Sequence, residues 1–234
     1  MTTILLTGST RGIGAAARSA LAAAGATVIG HGSRDGDGTI GADLAETGAG
    51  DRLWAAALAR AGGRIDVLVN NAGVFEAVDP DAADAEWAHV WARALAINLQ
   101  AAADLSRRAV LHFRAAGGGR IVNVASRAAF RGDSPHHWHY AAAKAGMVAM
   151  TRTIARAYAA DGVLAFVVAP GFTMTGMAEE YLSSRGGDAL LADIPLGRVA
   201  STAEVAETIR WLALDAPPSL TGAVLDVNGA SYVR

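Results

Sequence analysis

The chain has 234 residues, of which 52% are hydrophobic and 18% charged, and its formal net charge is −2. That composition argues against disorder, and the absence of a basic stripe or lysine/arginine run argues against nucleic acid and anionic membrane surfaces as partners. Cysteine is absent, which excludes disulfides, thiol catalysis and cysteine-ligated metals.

The first residues, Met1-Thr2-Thr3-Ile4-Leu5-Leu6, carry no charged region followed by a long apolar run. Neither a signal peptide nor a bilayer-spanning stretch is expected, and the default expectation is a cytoplasmic protein. Short Val- and Ile-rich runs at 4–6, 27–31, 65–70, 120–124, 164–168 and 224–227 predict strands, with a weaker one at 39–42. Ala-rich stretches at 13–24, 52–61, 85–114, 138–160 and 202–214 predict helices between them. Alternating strand and helix implies α/β architecture: a doubly wound parallel sheet of about seven strands with helices on both faces. No repeat or linker interrupts the pattern, so residues 1–234 are expected to form a single domain.

The first predicted strand runs into Thr7-Gly8-Ser9-Thr10-Arg11-Gly12-Ile13-Gly14 and then a helix. Glycine permits a tight turn and a close approach of backbone to phosphate. The following helix start offers unpaired N–H groups and a partial positive charge. This is where a dinucleotide pyrophosphate would sit. A tight turn without a ligand would read the same way.

Lys144 is the only lysine, against nineteen arginines. An ammonium is compact and its pKa shifts readily, whereas a guanidinium is wide and always charged. Lys144 lies four residues after Tyr140, which places both on one helix face. A phenol beside an ammonium is a candidate acid/base pair, because a neighbouring cation favours the phenolate.

Taken together, the G-x-x-x-G-x-G turn and Tyr140-x-x-x-Lys144 resemble the short-chain dehydrogenase/reductase family, and the likeness extends over nearly the whole chain. Asn70-Asn71-Ala72-Gly73 is similar to the family's NNAG segment. Asn98 matches its helical catalytic asparagine, and Ser126 matches its catalytic serine. Pro170-Gly171-Phe172-Thr173-Met174-Thr175 is similar to the segment along the nicotinamide. Pro195-Leu196-Gly197-Arg198 and Val227-Asn228-Gly229 resemble its C-terminal landmarks. Two departures stand out. Ser126 and Tyr140 are one residue further apart than in the commonest members, and Gly229-Ala230 replaces the usual paired glycines.

The resemblance implies a Rossmann-type fold and an NAD(P)-dependent enzyme acting on CH–OH groups. Its catalytic residues would be Asn98, Ser126, Tyr140 and Lys144. Tyr140 would be the general acid/base, and Lys144 would lower its pKa and hold the nicotinamide ribose. Ser126 would steady the substrate oxygen, and Asn98 would hold a water linking Lys144 to solvent. The cofactor would lie along Gly8, Thr10, Arg11, Gly12, Ile13 and Gly14, then Asn71, Ala72 and Gly73, then Pro170, Gly171, Thr173 and Thr175. Asp43 and Leu44 would meet the adenine edge.

The second strand ends Ile29-Gly30-His31-Gly32-Ser33-Arg34, with no acid before Asp35. An acid there would hold a ribose 2′-hydroxyl. Arg34 with Ser33, and Arg11 in the turn, suit a 2′-phosphate instead. NADP(H) is therefore the expected cofactor. NAD(H) stays possible if Asp35 swings in.

Between Ser126 and Tyr140 lie Arg127, Arg131, Asp133, His136, His137, Trp138 and His139. The resemblance puts this loop at the active-site mouth. Three readings are open: polar surface beside a packed Trp138, attraction of a substrate carboxylate or phosphate by the arginines and histidines, or a metal site. No ligand spacing supports the last, and no metal is expected. Segment 175–191 resembles the family's substrate lid, with Met174, Met177 and Tyr181 suggesting a partly apolar pocket. The expected reaction is carbonyl reduction or alcohol oxidation, with a 3-oxoacyl-thioester reductase as one plausible member. A sugar or polyol dehydrogenase and a non-catalytic dinucleotide sensor are the alternatives. Relatives imply a homotetramer or homodimer packed through the helices carrying Asn98 and Tyr140 and through the C-terminal strand.

Overall fold

The computed structural model describes residues 1–36, 38–174 and 187–234. Seven parallel strands form its main sheet. They are β1 (Thr3–Leu6), β2 (Thr27–Gly32), β3 (Thr39–Gly41), β4 (Val67–Asn70), β5 (Gly119–Val124), β6 (Val163–Pro170) and β9 (Val224–Val227). The order across the sheet is β3-β2-β1-β4-β5-β6-β9. A separate parallel pair joins β7 (Thr173–Met174) to β8 (Ala200–Ser201), which the sequence pattern did not suggest.

Side-chain alternation explains why both faces of the sheet are buried. Leu5, Leu68 and Ile121 point to one side and pack with α2 (Ala49–Arg60), α4 (Ala101–Ala116) and α6 (Trp138–Tyr158), through Leu53, Leu105, Phe113 and Ile154. Ile4, Leu6, Val67, Val69 and Val122 point to the other. They meet α1 (Gly12–Ala23) and α8 (Thr202–Leu214) through Ala17, Leu21, Val205, Ile209 and Leu212. Helix α8 begins with a capping box in which Ser201 and Glu204 bond each other's backbone N–H. Arg198 of the Pro195–Arg198 landmark grips that same Glu204 with two nitrogens at 2.8 Å. These bonds hold the Glu204 carboxyl down at about 2.

The stretch expected as one helix over 85–114 is in fact three pieces. α3 (Asp84–Leu95) is followed by a π-helical turn, Ala96–Gln100, and then α4. A π turn re-aims the residues on it, and here it carries Asn98. Two short helices were not expected, α5 (Ala128–Arg131) and α7 (Gly187–Ala192).

β1 stands between β2 and β4, where the strand order reverses direction. In open parallel sheets, ligands bind at such a switch point, outside the C-terminal strand ends. The segments after β1, β4, β5 and β6 all emerge on that edge. A cavity of about 660 Å³ at the opposite edge, lined by Asp66, Arg120 and Leu214 among others, lies at the wrong end of the strands for this role.

Candidate active site

The glycine turn is tight and closely packed. Gly8 and Gly12 have φ of +63° and +53°, which side chains disfavour. A Cβ on Gly14 would run into the Gly8 carbonyl. Helix α1 starts with no side-chain cap and no acid in its first turn. Its first N–H groups are therefore unsatisfied by the usual devices. Asn71 fixes the turn from the β4 side, donating to the Thr7 and Gly8 carbonyls at 3.0 Å each. Thr7 accepts in return from the Asn71 and Ala72 N–H groups. Asn70 faces the other way. It donates to Asn123 at 2.8 Å and Ser106 at 3.1 Å, and Asn123 donates onward to Thr151. That buried relay ties β4 and β5 to α4 and α6 directly beneath the strand ends.

His31 was not singled out by the sequence, yet it anchors the turn from the β2 side. Its Nδ1 accepts from Gly8 N–H at 3.2 Å, and its Nε2 faces the Ala42 carbonyl at 3.1 Å. These partners require the neutral ring with the proton on Nε2. Burial lowers its pKa, with the Ala42 bond opposing.

Ser33, Arg34 and Arg11 are exposed near the ends of β2 and the turn. Neither arginine makes an ion pair among the described residues. Asp35 is engaged elsewhere, accepting from Gly41 N–H at 2.8 Å. Asp43 is exposed and caps Ala45 N–H. The Leu44 side chain is buried in the core, which leaves only its backbone to meet a ligand.

Four predicted catalytic residues come from three elements. Tyr140 and Lys144 stand one turn apart on α6, with the amine 5.7 Å from the phenol ring centroid. Lys144 is buried and donates to the Val124 carbonyl at the end of β5 at 2.9 Å. Ser126 follows that strand and hydrogen-bonds the Tyr140 phenol. Asn98 clasps Val74 by both backbone groups at 3.0 Å, accepting from its N–H and donating to its carbonyl. A Cβ on Gly73 would lie 2.8 Å from Asn98 Oδ1 and 3.6 Å from Lys144 Nζ. The missing side chain at Gly73 thus leaves room for both the asparagine and the lysine.

The charge balance differs from the expectation that Lys144 depresses Tyr140. Burial pushes the phenol up to about 12; the Ser126 bond opposes this and Asp133 adds to it. Burial also pulls the Lys144 amine down to about 8. The amine donates to the Val124 carbonyl, and desolvation is the largest influence on both groups.

The histidines of the mouth loop are committed to separate tasks. His137 stacks flat on Phe75 at 3.7 Å and pairs with Ser134 at 2.7 Å. His139 is buried and bonds the Glu76 carbonyl at 2.9 Å. His136 is exposed, 3.9 Å from an Asp79 oxygen. Phe75 also meets the Tyr140 ring edge-on at 4.8 Å, a wall that the sequence reading missed. Arg131 and Arg127 both point to Asp193, at 2.7 and 3.3 Å. Pro170 closes β6, and the following Gly171 packs against Asn228 too tightly to accept a Cβ. Thr173 is buried in β7. Thr175, Met177 and Tyr181 lie outside the described residues.

A family model described as enoyl-(acyl carrier protein) reductase matches residues 8–230. The 3-oxoacyl-(acyl-carrier-protein) reductase of Haemophilus influenzae is 35% identical, over 98% of this chain and 97% of its own. The chain belongs to the short-chain dehydrogenase/reductase family. It is an oxidoreductase acting on CH–OH or keto groups. A second family member, the cis-4-hydroxycyclohexanecarboxylate dehydrogenase of Sinomonas cyclohexanicum, is 38% identical over 96% of this chain and 94% of its own. A crystal structure assigned as an NAD(P)-dependent gluconate 5-dehydrogenase from Beutenbergia cavernae, with NADP bound at low occupancy, superposes with a TM-score of 0.88. It shares 32% identity and covers 98% of this chain and 96% of that one.

Proposed function

We propose that the protein is an NADP(H)-dependent carbonyl reductase or alcohol dehydrogenase in which Tyr140 carries the proton. The observation that carries this reading is the convergence of Tyr140, Lys144 and Ser126 beside the glycine turn. The residues present fit a dinucleotide: Gly8 and Gly12, at positive φ, tighten the turn, Gly14 lets α1 start directly against the Gly8 carbonyl, and the α1 N-terminus is uncapped. Gly8, Thr10, Arg11, Gly12, Ile13 and Gly14 would hold the pyrophosphate, and Asn71 to Gly73 the adenosine side. Arg34, Ser33 and Arg11 would take the 2′-phosphate, since Asp35 is already bonded to β3. Bound NADP(H) supplies the hydride for reduction and accepts it in oxidation.

Tyr140 donates its proton to the carbonyl oxygen as negative charge develops there, and Ser126 holds that oxygen by its hydroxyl. The reverse direction makes Tyr140 the base. Lys144 keeps a positive charge at neutral pH with a pKa of about 8, which stabilises the phenolate once the proton has left. Asn98 fixes Val74 and, through Gly73, the wall behind Lys144. Tyr140→Phe removes the transferable proton and little volume. Turnover is expected to fall about a hundred- to ten-thousandfold, the scale of lost general acid catalysis, with NADPH affinity nearly unchanged. Retained turnover would overturn the assignment.

Two substrate readings have support from relatives: a 3-oxoacyl thioester and a sugar or polyol. Residues 1–234 are inferred to work as one domain. Its operating form is inferred to be a homotetramer or homodimer in the cytoplasm, joined through the helical stretch carrying Asn98, through α6 and through β9. Among the described residues no helix is long and apolar enough to cross a membrane.

A further inference from the structure

Arg127 directly follows Ser126, and its position is hard to account for as packing alone. The side chain is only 10% exposed, yet its one described hydrogen bond is a long one, 3.3 Å, to Asp193 Oδ2. A guanidinium has five N–H donors. One of them takes the described bond to Asp193. The plane lies over the Phe172 ring, 5.0 Å from its centroid, in the segment that follows β6. The Arg127 backbone N–H bonds the Pro170 carbonyl at 2.9 Å, so the residue spans the ends of β5 and β6. Burial and the neighbouring Arg131 both disfavour its charge, while Asp193 and the exposed Asp133 favour it.

Arg131 makes the better bond to the same Asp193 oxygen, at 2.7 Å, and a second to the Ser231 carbonyl at 3.0 Å. Asp193 follows α7 and is half exposed. One carboxylate oxygen is thus shared by two guanidiniums, and the buried one has the poorer share.

Resting on the reading of this cleft as a carbonyl-reducing site, we propose that Arg127 is the binding residue for a carboxylate on the substrate, which displaces Asp193 from it. The substrate class is an oxo acid or its hydroxy acid. Asp193 can release Arg127 while keeping its shorter bond to Arg131, so the exchange does not detach the residue after α7. A single guanidinium on Phe172 suits the planar, two-oxygen edge of a carboxylate.

The test uses the NADPH-bound protein and straight-chain oxo acids from acetoacetate upward, each beside its methyl ester. Arg127→Gln is expected to raise KM for the best acid about ten- to a hundredfold, the range for losing a charge-assisted pair, and to leave the ester within about threefold. Asp193→Asn removes the competitor and keeps the shape. It is expected to lower KM for the acid and not for the ester, an outcome a purely structural latch would not produce. Equal changes for acid and ester in Arg127→Gln, or weakened acid binding in Asp193→Asn, would overturn the proposal. Calorimetric titration of acid and ester separates the two layers of inference. An acid that binds through Arg127 but is never reduced refutes the reductase reading alone. Equal binding of acid and ester refutes the anion site.

Discussion

Lowering the pH should loosen the glycine turn through His31. The ring is 4% exposed and sits between Gly8 N–H and the Ala42 carbonyl. Protonation puts a hydrogen on Nδ1, which then opposes the Gly8 N–H instead of accepting from it. Because burial lowers the folded pKa below 6.5, the unfolded chain binds the proton first. Stability from this residue is therefore complete above about pH 6.5 and is lost as pH falls from there toward the folded value. Each pH unit within that window removes about 1.4 kcal/mol. Between about pH 7.5 and 5.5 the His31 share is at most about 1.4 kcal/mol, roughly 3–6 °C in Tm for a chain of this size. The assay is Tm against pH for wild type and His31→Gln, which keeps an acceptor but does not titrate in this range. Other titrating groups, His137 among them, act in both proteins and cancel in the difference. The wild-type curve should fall more steeply below about pH 6.5, and NADPH affinity should weaken with it. Parallel curves would refute the reasoning.

Three further expectations follow from single contacts. Arg34→Ala should raise KM for NADPH about tenfold or more and leave NADH almost unaffected, because a forked guanidinium–phosphate contact is lost. Equal effects on both cofactors would remove Arg34 from the 2′-phosphate site. Ala230 has a φ of +65°, in the region that favours glycine. Ala230→Gly should stabilise the protein by about 1 kcal/mol and raise Tm by about 2–4 °C, read by calorimetry. Reductive kcat/KM should decline above about pH 8 as Lys144 loses its proton. A flat profile to about pH 10 would show that the amine's charge is not needed.

Much of this architecture could be read along the chain, because its causes are local. Alternating faces of Ile4, Leu5 and Leu6, glycine at positions of positive φ, and Tyr140 four residues before Lys144 all follow from the geometry of strand, turn and helix. The predicted 202–214 helix matches α8 because Ser201 and Glu204 form its capping box within three residues. The π turn at Ala96–Gln100 escaped notice because its hydrophobic pattern still resembles that of an α-helix. The pair β7 and β8, only two residues each, is joined across a gap too wide for any local signal.

The sequence by itself determined the chemical inventory: one amine, one phenol a helical turn away, a glycine turn and no thiol. Only the tertiary structure decided how those groups are charged and what else surrounds them. Desolvation depends on every atom packed around a residue, so the raised Tyr140 and lowered Lys144 values could not be read from their spacing. The same holds for His31, Phe75 and Arg127. Their roles arise from contacts with Gly8, His137 and Asp193, which lie far away in sequence or on another element.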